Sequence, residues 1–333
     1  MKKSLLFTTV CLILFMYACK NELEVVNPES ETVPLIYAIL DPSIEQQYIK
    51  VQKSYITESS PEDYINNPEY IFYNPSEVEV YLEKYYNNNF IKKIIPTIDT
   101  INTSGSNVKQ QPIYIIGKSD IISSGEDNKY ISLKLYVKDL KTGKIATGNT
   151  KLLDNFKPDK LITNPGTYGF ASSDSKEISW YSIENGVVYN PIYRTIYTEY
   201  DNNDNFLRFD SVDFNLGHYE SKTSDGLEKM RAKFNTESYF LNLSNQISIN
   251  NEVKRKVVNL KIIIAVAQKD FLNYIDINSP SNDLNQEKPV YTNITNGLGL
   301  FTNRFTFSIY KELDNETLNE IKNGNLTKGL RFY

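Results

Sequence analysis

Ile131-Ser132-Leu133-Lys134-Leu135-Tyr136-Val137 decides the fold class. Its apolar residues recur at every second position, which puts Ile131, Leu133, Leu135 and Val137 on one face of an extended chain and Ser132, Lys134 and Tyr136 on the other. That is the pattern of a half-buried strand in an antiparallel sheet, and Lys141-Thr142-Gly143-Lys144 turns it into the next strand. Upstream, Val78, Val80 and Leu82 alternate with Glu79 and Tyr81, and Asn87-Asn88-Asn89 closes a hairpin onto Phe90 to Ile95. Val33 to Leu40, ended by Asp41-Pro42, Gln47 to Ile56 and Ile113 to Ile116 supply further strands. Glu58 to Pro75, acidic and broken by Pro61, Pro68 and Pro75, reads as an excursion from the sheet.

Beyond Leu153 the same grammar resumes. Asn155 to Gly169, with Pro158, Pro165 and two glycines, is the best boundary. It divides the body into an N-terminal β-sandwich over 33–154 and a C-terminal β-rich domain over 155–333. In the second part Ile178 to Ile183, which holds the single Trp180, precedes Asn185-Gly186, the strongest two-residue hairpin signal in the chain. Tyr193 to Tyr200 and Phe206 to Phe214 flank a turn at Asp201 to Asn205. Ser238 to Leu243 and Val257 to Ala267 read as strands, and the unbroken Ile262-Ile263-Ile264 marks one covered on both faces. Short helices are expected at Lys269 to Ile277 and at Asp314 to Lys322, where Asp314 is placed to cap and Gly324 to stop. The expected fold is mainly β: antiparallel β-sandwich domains of the immunoglobulin or fibronectin kind, with one or two short helices near the C-terminus.

The N-terminus carries an address. Lys2-Lys3 precedes a 14-residue apolar core, Leu5 to Ala18, of signal-peptide length and short of the roughly 20 residues of a membrane span. Phe15-Met16-Tyr17-Ala18-Cys19 resembles the bacterial lipobox, so residues 1–18 are read as a lipoprotein signal and Cys19 as the lipidated residue. Two or more acyl chains anchor stably where one does not. Residues 19–32 form a polar tether, about 40 to 45 Å long at full stretch. The other cysteine, Cys11, leaves with the signal, so the mature body has no disulfide and depends on its cores. The balance of 36 Lys+Arg against 41 Asp+Glu, without a long basic run, argues against nucleic acid as a partner.

Catalytic signatures are weak throughout, and no catalytic residue, metal or cofactor is expected. His218 is the single histidine, which precludes sites needing two, and no G-x-S-x-G elbow accompanies it. Asp201, Asn203 and Asn205 open like a calcium loop, but Phe206 and Val212 stand where Gly and Glu are needed, so a turn is preferred. Gly297-Leu298-Gly299 lacks the third glycine of a dinucleotide cradle and reads as a bend. Glu62-Asp63 and Glu126-Asp127 are acidic pairs without an apolar frame to raise a carboxyl pKa, and read as solvated loops. Tyr193, Thr195, Tyr197 and Glu199 share one face of a strand. A tyrosine face can bind carbohydrate or a partner, but tyrosine also suits half-buried strands, and the second reading is preferred.

The run from Val33 to Pro42 with Tyr48 to Lys53, and the later Lys269 to Tyr274 and Pro289 to Phe301, resemble the opening and the C-terminal signature of uncharacterised Bacteroidota-type surface lipoproteins containing a domain of unknown function. The resemblance covers nearly the whole mature chain. It implies a β-sandwich body on the cell surface, working beside an outer-membrane protein such as a TonB-dependent transporter. Lys20, Glu22 and Glu24 resemble the surface-export signal of such lipoproteins, although Asn21 departs from it, and Asp99-Thr100-Ile101 and Asp210-Ser211-Val212 look like their O-glycosylation signal, at Thr100 and Ser211. The function expected is that of a non-enzymatic, lipid-anchored outer-membrane protein facing the exterior, acting as a binding or accessory subunit. The alternatives are a glycan-active hydrolase and an adhesion or structural lipoprotein. The sequence names no ligand.

Overall fold

A computed structural model describes residues 33–54, 68–102, 110–156, 158, 165–278 and 291–333. The first half opens with β1 (Pro34–Leu40) and β2 (Gln46–Lys53), an antiparallel pair whose turn is built on Asp41. The buried Asp41 carboxylate accepts from Ser43 N at 3.0 Å, Arg304 Nε at 3.0 Å and Thr306 Oγ1 at 2.7 Å, while Gln47 Nε2 donates to its carbonyl at 2.9 Å. A buried carboxylate persists only when paired in this way. After α1 (Pro68–Ile71) come β3 (Val78–Tyr86), β4 (Asn89–Ile94), β5 (Thr97–Asn102) and β6 (Gln110–Gly117). Then α2 (Lys118–Ile121) leads to β7 (Ile131–Asp139) and β8 (Ile145–Lys151). Asn87 and Asn88 take φ of 49° and 64°, the left-handed values a tight hairpin demands and asparagine tolerates.

The second half contains β9 (Ser175–Tyr181), β10 (Val188–Asp201), β11 (Phe206–Asn215), β12 (Tyr219–Glu220) and β13 (Lys229–Asn235). There follow α3 (Thr236–Gln246), β14 (Val253–Ala267), α4 (Lys269–Asn278), β15 (Ile294–Thr295), β16 (Leu298–Lys311) and α5 (Asn315–Asn323). One sheet runs in the order β11-β10-β14-β16-β1-β2-β6-β5, with β12 added to β10. A second runs β15-β8-β7-β3-β4, and β9 pairs with β13 as a ribbon. The protein is mainly β with antiparallel sheets and a few short helices, as the alternation required. β1 and β16 are a parallel pair inside this antiparallel context.

Two cores fill the fold. The first lies between the sheets and joins Ile36, Leu40 and Ile49 to Leu82, Leu135 and Val137, with Ile294 and Phe301 arriving from the distant C-terminal part. The second is aromatic and gathers Phe170, Trp180, Tyr189, Tyr193 and Tyr239 against Leu260, Ile262 and Ile264. Buried phenols there find partners: Tyr168 and Tyr193 share a hydroxyl contact of 2.6 Å, and Thr195 meets Tyr239 at 2.8 Å. The two cores are not divided along the chain: Leu153 lies in the second, Ile294 and Phe301 lie in the first, and β16 belongs to both. Its residues 298–303 pair with β1, and its residues 304–311 pair with β14.

Two local expectations are corrected. Ser238 to Leu243 is not a strand but the middle of α3: Asn235 caps it by accepting from Glu237 N at 2.8 Å, and its buried residues Thr236, Tyr239, Phe240 and Leu243 follow helical spacing. Asn185-Gly186 is a turn, with Asn185 at φ 62° and Gly186 N donating to Ile183 O at 2.9 Å, but it closes no hairpin. The strand before it, β9, pairs with β13, and the strand after it, β10, pairs with β11, β12 and β14.

Candidate functional site

The alternation that sends Val78, Val80 and Leu82 into the first core turns Glu79, Tyr81, Glu83 and Tyr85 of β3 outward. The same rule on β7 turns out Ser132, Lys134, Tyr136 and Lys138. Register then sets Tyr81 opposite Tyr136, Glu83 opposite Lys134 and Tyr85 opposite Ser132. Cross-strand neighbours interact directly. The Tyr81 and Tyr136 rings stack with centroids 4.7 Å apart and planes 12° apart. Lys93 Nζ of β4 sits 3.6 Å from the centre of the Tyr81 ring and also meets Glu79 at 2.9 Å, and Lys134 Nζ is 4.7 Å from the centre of the Tyr136 ring.

Glu83 is the hub of this face. Its Oε2 accepts from Tyr85 OH at 2.7 Å and from Tyr136 OH at 2.8 Å. The Tyr85 hydrogen bond, opposed by burial and reinforced by Tyr136 and the neighbouring lysines, holds the Glu83 carboxyl below the usual carboxylate value. In return, the hydrogen bond to Glu83 pushes the Tyr85 phenol up to about 12. Tyr85 is also packed edge-on against Phe90, with ring centres 5.8 Å apart. Beside this cluster lies a shallow, open hollow of about 380 Å³ walled by Tyr85, Ser132, Lys134, Asn149 and Lys151, with the buried Leu133 and Thr150 beneath. Lys151 is bound to Glu184 at 3.0 Å.

The tyrosine face proposed on β10 lies inside the protein. Tyr193 and Thr195 are fully buried, and Tyr197 and Glu199 nearly so, in keeping with the preferred reading of tyrosine as strand packing. Glu199 and Arg255 form a buried ion pair at 2.9 Å, and Arg255 Nη1 also donates to Leu330 O at 2.8 Å. Glu126 is the counter-ion of Lys84, a lysine with no exposed surface. Burial pushes the Glu126 carboxyl up, but Lys84 and Ser123 pull it lower still. Asp201 Oδ1 accepts from the amides of Asn203 and Asn205, both at 2.8 Å, so that carboxylate closes a turn on itself. His218 is exposed between β11 and β12. Among the described residues, no group of His, Cys, Asp and Glu is arranged to hold a metal ion.

Cys19, Lys20, Glu22, Glu24 and the Glu62-Asp63 pair lie outside the described residues. Thr100 and Ser211 are both exposed and both sit on strands at opposite ends of the large sheet, β5 and β11. In each case the preceding aspartate accepts from the residue's own amide, Asp99 Oδ1 at 2.7 Å and Asp210 Oδ1 at 2.8 Å. An edge strand presents unpaired amides, and a carboxylate that takes one up blunts the edge. These two tripeptides therefore have a structural use whether or not a glycan is added.

No protein-family model matches the sequence, and no curated protein matches it. A solved structure, Bacteroides uniformis β-glucuronidase 2 covalently bound to cyclophellitol-6-carboxylate aziridine, aligns at 8% identity over 81% of this chain and 26% of that one, with a TM-score of 0.13. The chain thus spans about a quarter of that protein, and so slight a likeness carries no argument. The outward set Tyr81, Glu83, Tyr85, Lys93, Lys134 and Tyr136 was not singled out from the sequence, although the signal was present. The polar positions of the two most regular strands had only to be paired across the sheet.

Proposed function

We propose that this chain is a non-enzymatic, lipid-anchored outer-membrane protein facing the cell exterior, serving as a binding or accessory subunit beside an outer-membrane partner such as a TonB-dependent transporter. The observation that carries the binding role is the outward face of β3 and β7, where stacked tyrosines, a doubly hydrogen-bonded carboxylate and two lysines are held in fixed positions. Groups already held by one another lose little freedom when a ligand arrives, which favours recognition. The same arrangement suits binding better than glycoside hydrolysis. A carboxyl held low by its hydrogen bonds is ionised near neutral pH and has no proton to give a leaving group. Placement rests on Lys2-Lys3, the apolar Leu5 to Ala18 and Cys19.

Register gives the anchored molecule a direction. The tether enters at Val33, level with the start of β16, and the sheet then extends along β16 to Lys311, across to Leu260 and along β14 to Val253, opposite Asp201. At about 3.3 Å per residue this path is roughly 65 to 70 Å long, which sets an upper bound on the distance from the tether's entry to the Asp201–Asn205 turn. Purification from native outer membranes is expected to recover an outer-membrane transporter with the wild-type chain, and Cys19→Ser is expected to release the protein from the membrane. A chain recovered alone, or a Cys19→Ser variant that partitions into detergent like its parent, overturns the reading.

A further inference from the structure

The hollow beside Glu83 has a composition that selects among ligands. Ser132 and Lys134 of β7 stand opposite Lys151 and Asn149 of β8, so the two lysines occupy one diagonal of a four-residue rectangle and the hydroxyl and amide the other. Tyr85 walls it on the β3 side. Each lysine has an acidic neighbour: Glu83 faces Lys134 across the strands, and Glu184 binds Lys151 at 3.0 Å. The charges of the site are therefore balanced, and a charged ligand gains little from long-range attraction. An apolar ligand gains little either, because the hollow is shallow and open to solvent and would leave most of such a ligand in water.

What remains is a rim of hydrogen-bonding groups: ammonium donors on Lys134 and Lys151, and groups that both donate and accept on Ser132 and Asn149, with Glu83 and Glu184 beside the lysines but outside the hollow. Vicinal hydroxyls, each a donor and an acceptor, match such a rim. Tyr85 is the aromatic part of the wall, held by Glu83 and Phe90, and an aromatic ring is the kind of surface on which the C–H side of a sugar packs. The volume of about 380 Å³ falls at the lower end of ligand sites, enough for a short stretch of chain and open at the sides for the chain to continue. We infer that this hollow binds a neutral carbohydrate chain. The inference rests on the reading of this face as a binding surface.

The test is affinity gel electrophoresis of the purified mature protein through gels containing a neutral β-glucan, an α-mannan or dextran, with chondroitin sulfate as the charged counterpart. At least one neutral polysaccharide is expected to retard the wild type. Lys134→Met and Asn149→Ala should each weaken retardation about tenfold, the scale of a lost hydrogen bond to a charged or well-placed group. Tyr310→Ala, on an exposed position of the other sheet, should leave it unchanged. Ser132→Ala guards against a variant that fails to fold, since it removes one hydroxyl from a solvent-facing position. Retardation by none of the three neutral polymers, by chondroitin sulfate alone, or undiminished in the rim variants overturns the inference. If the chain stays anchored and keeps its membrane partner while no neutral polymer retards it, the ligand class falls and the proposed function stands. If anchoring and partner both fail while the gels still retard the wild type, the reverse holds.

Discussion

Gly299 offers the sharpest test of how the two halves of this protein are joined. It has a φ of +108°, and a Cβ placed there would overlap the carbonyl oxygen of Ile36, lying 2.8 Å from the Ile36 carbonyl carbon and 3.0 Å from its nitrogen. All three atoms are backbone, so no side-chain rotation relieves the contact. β1 and β16 would have to move apart where Ile36 pairs with Gly299. Gly299→Ala therefore combines backbone strain of about 1–3 kcal/mol with a disturbed parallel pairing, whose hydrogen bonds contribute about 1 kcal/mol each. The expected loss is about 3–5 kcal/mol, a large part of the 5–15 kcal/mol that holds a typical domain folded. Gly143→Ala is the control. Gly143 also has a positive φ, +72°, but nothing lies within 4 Å of its added Cβ, so only about 1–2 kcal/mol of left-handed strain applies.

Urea titration of the Cys19→Ser protein can follow both variants by circular dichroism and by Trp180, the single tryptophan, which is wholly buried in the second core. The Gly299→Ala midpoint should fall by roughly 1 to 2 M, and Gly143→Ala by less than half as much. Trp180 should report the Gly299→Ala loss although Gly299 sits against the first core, because β16 runs on from it into the second. Equal midpoints for the two variants, or a Trp180 transition that Gly299→Ala leaves in place, would refute the reasoning.

Glu126→Ala strips the counter-ion from Lys84 and should cost about 3 kcal/mol in urea, whereas Lys84→Met should cost less, because it removes the buried charge itself. Arg255→Met leaves the Glu199 carboxylate, the Leu330 carbonyl and the Ser248 carbonyl without their shared donor; a thermal melt should show about 3 kcal/mol of destabilisation and earlier proteolysis of the C-terminal residues. Glu83 is held below its ordinary value of 4.5, so its contribution is present above that pH and is lost as pH falls through the lower folded value. Acid denaturation should accordingly be shallower in Glu83→Gln than in the wild type.

The regular parts of this fold were legible because local pattern and burial agree there. β3 and β7 bury every second residue as their alternation required, and Ile262, Ile263 and Ile264 are all buried in the middle of a sheet. Asp314 caps α5 by accepting from Thr317 N at 2.8 Å, and Gly324 follows its last residue. Asp41-Pro42 read as a strand stop. What the sequence could not show was that the stop is enforced by Arg304 and Thr306, more than 260 residues away.

The misread elements share one physical cause, the aromatic cover of the second core. Ser238-Tyr239-Phe240-Leu241 has strand-like composition, yet Thr236, Tyr239, Phe240 and Leu243 fall one helical turn apart, and that spacing lets Tyr239 stack on Phe170 at 4.0 Å and reach Thr195 at 2.8 Å. With α3 in place, the tyrosine face of β10 becomes interior. Tyr193 meets Phe170 edge-on at 5.2 Å and Phe234 at 5.5 Å, and no face is left there for a ligand. β9 pairs with β13, the strand that leads into α3, so Asn185-Gly186 has no hairpin to close. β3 is no less tyrosine-rich than β10, but its Tyr81 and Tyr85 point away from the core because valine and leucine hold the inner positions, and only Tyr86 at its end packs inward. Tyrosine content is therefore silent about exposure, and the residues between the tyrosines decide it: Val80 and Leu82 turn Tyr81 outward, whereas Arg194, paired with Asp213 at 2.7 Å, claims the solvent side of β10 and sends Tyr193 in.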